Sequence, residues 1–460
     1  MGRVGALVLA AGKGTRMKGS FSKVMLPVLG EPMIYYPLRA LSEAGIKDIA
    51  VVVGWGGEAV ESYLASRWPD VAVLWQREQL GTGHALMVAE PWWASLDELL
   101  VLPGDVPLVG ADVLEALSRR HMDEMTEATF LTMTLDDPSG YGRVIQVDGR
   151  VRIVEDKDAS QAERSIQEVN SGIYAFNAAP LADLIHRLNN DNAQKEYYLT
   201  DAVRLLSADG KRVAVLNWPD PEELAGVNDP VQLAQAAAML RDRLLYRWMK
   251  EFGLKCLDPN SVWIGPEVSF EEDVWIDPWV ELLGKTSVGS GSRIASFTII
   301  RNSKLGSGVQ VRGHVVLEDS VVGDGATIGP FAHLRNGAEV GEGAHVGKFV
   351  EIKNSTVGQN SKVPHLSYIG DALIGKETNI GAGTITCNFD GRRKHQTHIG
   401  DRCFVGSDTM LVAPVSLGDD SYTGAGSVIT RDVPEGALAI ARARQRNVEG
   451  WAKKRKEEER

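Results

Sequence analysis

Beyond Leu257 an aliphatic residue followed by glycine recurs at steps of six residues or multiples of six, and no other feature of the chain restricts its fold so tightly. Val322-Gly323 leads to Ile328-Gly329, Val340-Gly341 to Val346-Gly347, Ile374-Gly375 to Ile380-Gly381, Ile399-Gly400 to Val405-Gly406, and Leu417-Gly418 to Thr423-Gly424. A helix would repeat near 3.6 residues and a two-faced strand at two, so neither explains a period of six. A six-residue strand-and-turn that forms one side of a triangular coil does, with the aliphatic side chain pointing into the shaft. The pattern predicts a parallel β-helix. Its spacing becomes irregular between Val346 and Ile374, which predicts an inserted loop there, and loops on a rigid coil are where binding groups gather.

The first half reads differently. From Gly5 to about Gly226, apolar runs suited to buried strands (Ala6 to Ala10, Ile49 to Val53, Val71 to Trp75, Leu99 to Leu102) alternate with helical patterns such as Ile34 to Ala44 and Glu58 to Trp68. That alternation predicts an α/β layer with a largely parallel sheet and ligands at the carboxyl ends of its strands. Between the halves, Pro230 to Phe252 lacks internal Pro or Gly and reads as one long helix, with Asp229 as its cap and Pro230 at its first position. The expected organisation is therefore 1–229, a linker helix 230–252, and a coil domain with a C-terminal tail over 253–460.

Lys and Arg number 49 against 61 Asp and Glu, a net charge of -12, which argues against general nucleic-acid binding and against an anionic membrane surface. Anionic substrates must then be held by local groups. Cys256, Cys387 and Cys403 match neither a disulfide framework nor a metal spacing, so buried thiols in a reducing compartment are expected. No signal peptide or run of about 18 apolar residues occurs, and the reading is a cytoplasmic protein without stable membrane insertion. The run Lys453 to Lys456 followed by Glu457 to Glu459 reads as a solvated helix end.

Directly after the first strand pattern comes Leu9-Ala10-Ala11-Gly12-Lys13-Gly14-Thr15-Arg16-Met17. Two glycines let backbone N–H groups approach phosphate oxygens, and Arg16 and Lys23 supply charge. Met17 stands where a dinucleotide fingerprint needs its third glycine, and no Gly-Lys-Ser/Thr follows for a P-loop. Further on stand QREQLGTGHA at Gln76 to Ala85, GDVP at Gly104 to Pro107, GYGR at Gly140 to Arg143, EVNSG at Glu168 to Gly172 and GVND at Gly226 to Asp229. In this order, from about residue 3 to 450, the chain resembles the bifunctional N-acetylglucosamine-1-phosphate uridylyltransferase and glucosamine-1-phosphate N-acetyltransferase family. The resemblance implies an α/β Rossmann-like nucleotidyltransferase domain followed by a left-handed parallel β-helix of hexapeptide repeats. A non-catalytic scaffold keeping both folds would have lost reacting residues, and Lys23, Asp105, Asn228 and His365 are all in place.

For the first reaction the resemblance implies that Arg16 and Lys23 engage the triphosphate of UTP and that Leu9, Ala10, Ala11 and Gly12 shape its pocket. It further implies that Gln76, Gly81 and Thr82 read the uracil, that Gly142, Glu155 and Asn170 hold the sugar, and that Asp105 and Asn228 hold Mg²⁺. A carboxylate and an amide oxygen suit such a hard cation. For the second reaction it points to His365 as general base, since acetyl transfer to an amine needs a proton acceptor. Arg335 and Lys353 then take the sugar phosphate, and Tyr368 and Asn379 the sugar. Ala382, Ser407, Ala425 and Arg442 meet acetyl-CoA, and Asn388 with Lys394 belong to an acetyl-CoA site shared across subunits of a homotrimer. UDP-N-acetylglucosamine for peptidoglycan and lipopolysaccharide is the implied product. Many members carry an aromatic residue, Tyr and Ala where this chain has Pro103, Phe389 and Gly424.

Overall fold

The computed structural model describes residues 2–14, 17 and 22–459. The chain divides into two compact units, Met1–Leu240 and Arg241–Arg460, with the helix Pro230–Glu251 running through the division. Asp229 caps that helix: its Oδ1 accepts from the backbone N–H groups of Val231 at 2.8 Å and Gln232 at 2.9 Å.

In the first unit the main sheet runs in the spatial order Val213–Asn217, Ala128–Thr134, Glu168–Asn177, Glu98–Pro103, Val4–Ala10, Asp48–Val53, Ala72–Trp75. All neighbours are parallel except Glu168–Asn177, which is antiparallel to both of its partners. Both faces are buried, as the continuous apolar runs require. Leu7, Leu99 and Val101 point into one core, while Val8, Leu100 and Leu102 point into the other. Because the central strands run the same way, Ala10, Trp75 and Pro103 end at one edge, and the segments that follow them meet there. The antiparallel strand shifts register between Asn170 and Tyr174, with Gly172 at φ +83°, and such a bulge re-aims a side chain beside a site.

The second unit is a left-handed parallel β-helix made of three stacked sheets of 11, 10 and 9 short strands, each strand pairing with the one a coil further on. The inserted loop expected between Val346 and Ile374 is absent. Val346, Ile352, Val357, Val363, Ile369, Ile374 and Ile380 continue the shaft without interruption, each no more than 3% exposed. Two causes hid this in the sequence. Some sides are one residue shorter, and Lys353 and Pro364 follow the shaft residue where the neighbouring sides have Gly347, Gly358 and Gly370. The real insertion comes later, between the strands Ile385–Cys387 and Thr397–Ile399, where Phe389 and Lys394 form an antiparallel bridge. Of the three thiols only Cys403 is buried, while Cys256 and Cys387 are half-buried, so the expectation of three buried thiols is corrected. Trp451–Glu458 is a fully exposed helix.

The coils approach too closely for a side chain at several glycines. A Cβ at Gly358 would collide with the carbonyl of Gly375 one coil on and come within 2.7 Å of Lys376 N. Gly358→Ala is predicted to destabilise the coil by about 1–3 kcal/mol, the usual range for overpacking. Urea unfolding followed by circular dichroism measures this, and an unchanged midpoint contradicts the contact.

Candidate active sites

A cavity of about 590 Å³ opens at the carboxyl edge of the first unit's sheet. Leu9, Ala10, Ala11, Gly12, Lys23, Gln76, Gly81, Thr82, Asp105, Glu155 and Asn170 all line it, so residues scattered over more than 160 positions share one space. Gly142 adjoins it, its carbonyl accepting from Asn170 N at 2.8 Å. Arg16 lies outside the described residues. At Gly14 the backbone has φ +55° and a Cβ would stand 2.9 Å from Lys23 Cβ, so only glycine lets the loop fold over that lysine.

At one end of the cavity the Lys23 ammonium donates to Asp105 Oδ2 and, at 3.1 Å, to Asn228 Oδ1. Asp105 follows the Glu98–Pro103 strand, and Asn228 is brought to it by the hydrogen bond from Val227 N to Asp105 O at 2.8 Å. Two hard oxygens thus converge on one cation. Among the described residues no cluster of three or more His, Cys, Asp or Glu side chains suited to a metal occurs. A carboxylate plus an amide oxygen is nonetheless the kind of set that fits Mg²⁺, which keeps several waters and takes further oxygens from substrate phosphates.

The middle of the cavity is held by neutral polar contacts. Gln76, 3% exposed, donates from Nε2 to the Gly81 carbonyl at 3.0 Å and lies 3.0 Å from His84 Nδ1, which fixes the direction of its amide. Thr82 Oγ1 accepts from Leu199 N at 3.0 Å. At the far end burial pushes the Glu155 carboxyl up, opposed by the Thr200 hydroxyl that donates to it at 2.9 Å. Asn170 Nδ2 donates to the Tyr174 hydroxyl at 2.6 Å, and burial raises that phenol so that it stays neutral.

In the second unit, register places Arg335 beside Lys353 and Lys353 beside Gly370 on successive coils. Arg335 pairs with Glu351 at 2.7 Å. Asp371 accepts from Asn354 Nδ2 at 2.6 Å, from Asn388 Nδ2, and from Lys353 Nζ at 3.4 Å. Burial alone would raise the Asp371 carboxyl, but the amides of Asn354 and Asn388 and the Lys353 charge hold it below the usual value. Lys394, in the bridge that closes the inserted loop, lies against Lys353 of the same chain and is pushed down by it. The two lysines titrate as a pair in which the proton is held more firmly by Lys353, because Lys394 yields to it and because Lys353 faces the Asp371 carboxylate. A methyl on Gly370 would approach Asn388 Nδ2 to 2.8 Å and collide with the Tyr368 hydroxyl, so both side chains close over that residue. Asn388 and Lys394 therefore stand with this cationic cluster.

His365 ends the strand Lys362–His365, exposed, one corner before Tyr368. On the preceding coil, burial lowers His345, with Arg312 and His365 adding to the effect. Asn379 begins the next strand of the same sheet. Beyond it Ala382, Ser407 and Ala425 occupy matching turns of successive coils, linked by Asp408 N to Ala382 O at 2.7 Å and Gly426 N to Ser407 O at 2.8 Å. A Cβ at Gly426 would meet Arg442 at 3.9 Å, which puts that arginine beside the last of these turns.

Sequence reasoning missed several contributors. Thr200, Tyr174, Asn354, Asp371 and His345 touch the expected residues only through the fold, and nothing in their local sequence marks them. Arg143 was quoted only as part of GYGR. It is 2% exposed, pairs with Asp156 at 2.9 Å and donates to the Tyr141 carbonyl. A signal was present there, since an arginine directly before the apolar pair Val144-Ile145 requires a partner if the strand is buried.

The nucleotidyl transferase family matches residues 5–220, the bacterial transferase hexapeptide family residues 319–354, and the hexapeptide repeat of succinyl-transferase residues 396–431. The bifunctional protein GlmU of Carboxydothermus hydrogenoformans is 47% identical over 97% of this chain and 99% of its own length. Those of Fervidobacterium nodosum and an Exiguobacterium species are 45% and 47% identical over 98% of this chain, covering 98% and 99% of their own. An α/β unit with a cavity at the carboxyl edge of its sheet and a coil with a cationic cluster accord with those matches, and the chain belongs to the GlmU family of bifunctional transferases, joining a nucleotidyltransferase to a hexapeptide-repeat acetyltransferase.

Proposed function

We propose that the coil acetylates glucosamine 1-phosphate from acetyl-CoA, and that the α/β unit then transfers the uridylyl group of UTP to the product, N-acetylglucosamine 1-phosphate. UDP-N-acetylglucosamine and pyrophosphate result, the former a precursor of the cell envelope. One observation carries this reading: a single cavity gathers the Gly12–Gly14 turn, Lys23, Asp105, Gln76, Glu155 and Asn170. The corresponding domains are 1–229 and 253–460, flanking the helix 230–252. Assembly as a homotrimer and a cytoplasmic location belong to the same proposal.

In the first reaction a phosphate oxygen of the sugar attacks the α-phosphorus, a new P–O bond forms, and the bond to the β-phosphate oxygen breaks. Two anions must meet, so positive charge at the phosphates decides the rate. Lys23, Arg16 and the Gly12–Gly14 backbone would supply it, with Asp105 and Asn228 holding Mg²⁺. Bound there, the metal neutralises phosphate oxygens and leaving pyrophosphate. Gln76, Gly81 and Thr82 orient the base. Gly142, Glu155 and Asn170 orient the sugar so that its phosphate lies in line.

In the second reaction the amine nitrogen attacks the thioester carbonyl, the C–S bond breaks and the thiolate departs. His365 takes the ammonium proton. Arg335 and Lys353, with Lys394 and Asn388 beside them, receive the phosphate, and a dianion there relieves the repulsion between the two ammonium groups. Tyr368 and Asn379 hold the sugar, and Ala382, Ser407, Ala425 and Arg442 form the acetyl-CoA wall.

Asp105→Ala is predicted to abolish uridylyl transfer and leave acetyl transfer within about twofold, because the two sites lie in separate folding units. Separate assays of the two products test this, and loss of both activities in a folded protein contradicts it. His365→Ala is predicted to lower acetyl-transfer turnover by about two to four orders of magnitude, the range for a lost proton acceptor. The variant should also lose the rise of rate between pH 6 and 9, whereas acetyl-CoA binding by calorimetry stays near wild type. A loss below tenfold with an unchanged profile would assign the proton to another group.

Asp371 generates a third expectation. Its carboxyl is held below 3.8 in the folded protein, so its stabilisation is fully present above that value and is lost as pH falls through the depressed folded value. Asp371→Asn removes this dependence and weakens the hold on Lys353. Melting temperatures at pH 6 and pH 3 should fall more for wild type than for the variant, and equal falls would contradict the assignment. Its KM for glucosamine 1-phosphate should rise several-fold.

A further inference from the structure

The first unit has a second cavity besides the one that holds the proposed nucleotide site. It has a volume of about 670 Å³, shares no lining residue with that site, and lies at the opposite end of the sheet. Glu98 opens the strand whose other end leads to Asp105, so the two cavities sit at the two ends of one strand.

Its walls are aliphatic, formed by Val4, Ile46, Leu100 and Leu114, with the more exposed Met122 and Met125 at the rim. Two neighbouring polar groups in it make no hydrogen bond of good geometry among the described residues, although the Ser118 hydroxyl lies close enough to Glu98 to act on its carboxyl. Glu98 is 6% exposed and its Oε1 accepts no hydrogen bond, and Ser118 Oγ, also in the lining, is buried without one. Of the other polar groups, Thr126, Asn177, His121 and Asp97 are committed, while Glu115 and Arg119 also line the space. His121 is bonded to Thr129 at 3.0 Å and to Asn177 at 3.1 Å, and Asp97 accepts from Arg3 N at 2.6 Å. No ion pair to Glu98 occurs among the described residues, although Arg119 lines the same space. Burial accordingly pushes the Glu98 carboxyl up, with Ser118 as the one side chain opposing the shift.

A buried acid without a cation is costly, and an unpaired buried oxygen calls for an explanation. A water molecule would satisfy the oxygen but leaves the carboxylate without a counter-charge. A primary ammonium group supplies both charge and donors, and a hydrocarbon body attached to it fills the aliphatic walls. The volume lies within the range of small-molecule sites. We infer that this cavity binds a small organic ammonium ion, with Glu98 as its counter-charge, Ser118 as a second acceptor and the Val4–Leu114 wall as its apolar contact.

The test uses the full chain with ¹³C-methyl methionine, titrated with benzylamine at pH 8. The methyl signals of Met122 and Met125 should shift saturably, and these report this cavity because no methionine lines the nucleotide cavity. Glu98→Gln should weaken benzylamine at least about tenfold, whereas benzyl alcohol should bind more weakly and equally to both proteins. Ser118→Leu, which fills the cavity beside the acid and keeps the Glu98 carboxyl itself, should abolish the shifts and serves if Glu98→Gln does not fold. Absence of saturable shifts, equal benzylamine affinity in wild type and Glu98→Gln, or retained shifts in Ser118→Leu would each overturn the inference.

Discussion

Parallel strand pairing decides where every reacting side chain of this protein can stand. Neighbouring parallel strands keep a spacing near 4.8 Å and a common direction, so equivalent positions accumulate at one edge or along one face. In the first unit this brings the ends of Val4–Ala10, Ala72–Trp75 and Glu98–Pro103 to one side, and Gly12, Gln76 and Asp105 follow from them. In the coil the same rule stacks Arg335 on Lys353 and Lys353 on Gly370. Two different sheet architectures thus solve the same problem, which is to bring residues far apart in the chain together on a rigid frame.

That rule also explains which parts could be read beforehand. The strands of the first unit agree with their apolar runs to within about two residues, since burial on both faces leaves a continuous hydrophobic signature. The coil was legible wherever glycine follows the shaft residue, and illegible where Lys353 and Pro364 take that place. Those exceptions lie near Tyr368 and His365, where Pro364 and Lys353 take the place of the closely packed glycines. A broken repeat is therefore informative, but it marked a site and not an insertion. Thr200, Asn354 and Asp371 carry no local signal because each acts on a residue brought to it by tertiary structure.

The protein carries a net charge of -12 and yet handles phosphates in both halves. Local geometry overrides the global field because Coulomb interactions at a few ångströms in a partly desolvated site exceed those screened over a Debye length. Each cationic centre is also restrained by an acid: Lys23 by Asp105, Arg335 by Glu351, Lys353 by Asp371. The acid keeps the cation placed before substrate arrives. At Lys23 it has a second consequence, since the oxygens that position the ammonium are those a divalent ion would take.

The sugar end of the nucleotide cavity shows how far this positioning extends from the substrate. Arg143 touches no cavity-lining group directly, but it joins Asp156, the neighbour of Glu155, to Tyr141, the neighbour of Gly142. Gly142 in turn is tied to Asn170 through its carbonyl. The three residues proposed to hold the sugar therefore hang on one guanidinium that is 2% exposed. A lysine cannot replace it, because a single ammonium lacks the planar fork that reaches a carboxylate and a carbonyl in different directions. Breaking one partner would leave the other charge buried and unpaired, a larger penalty than the pair's own net contribution. The buried ion pair is thus best understood as fixing the distance between Gly142 and Glu155, and the neutral contacts of Thr200 and Tyr174 then set the orientation of the groups that face the sugar.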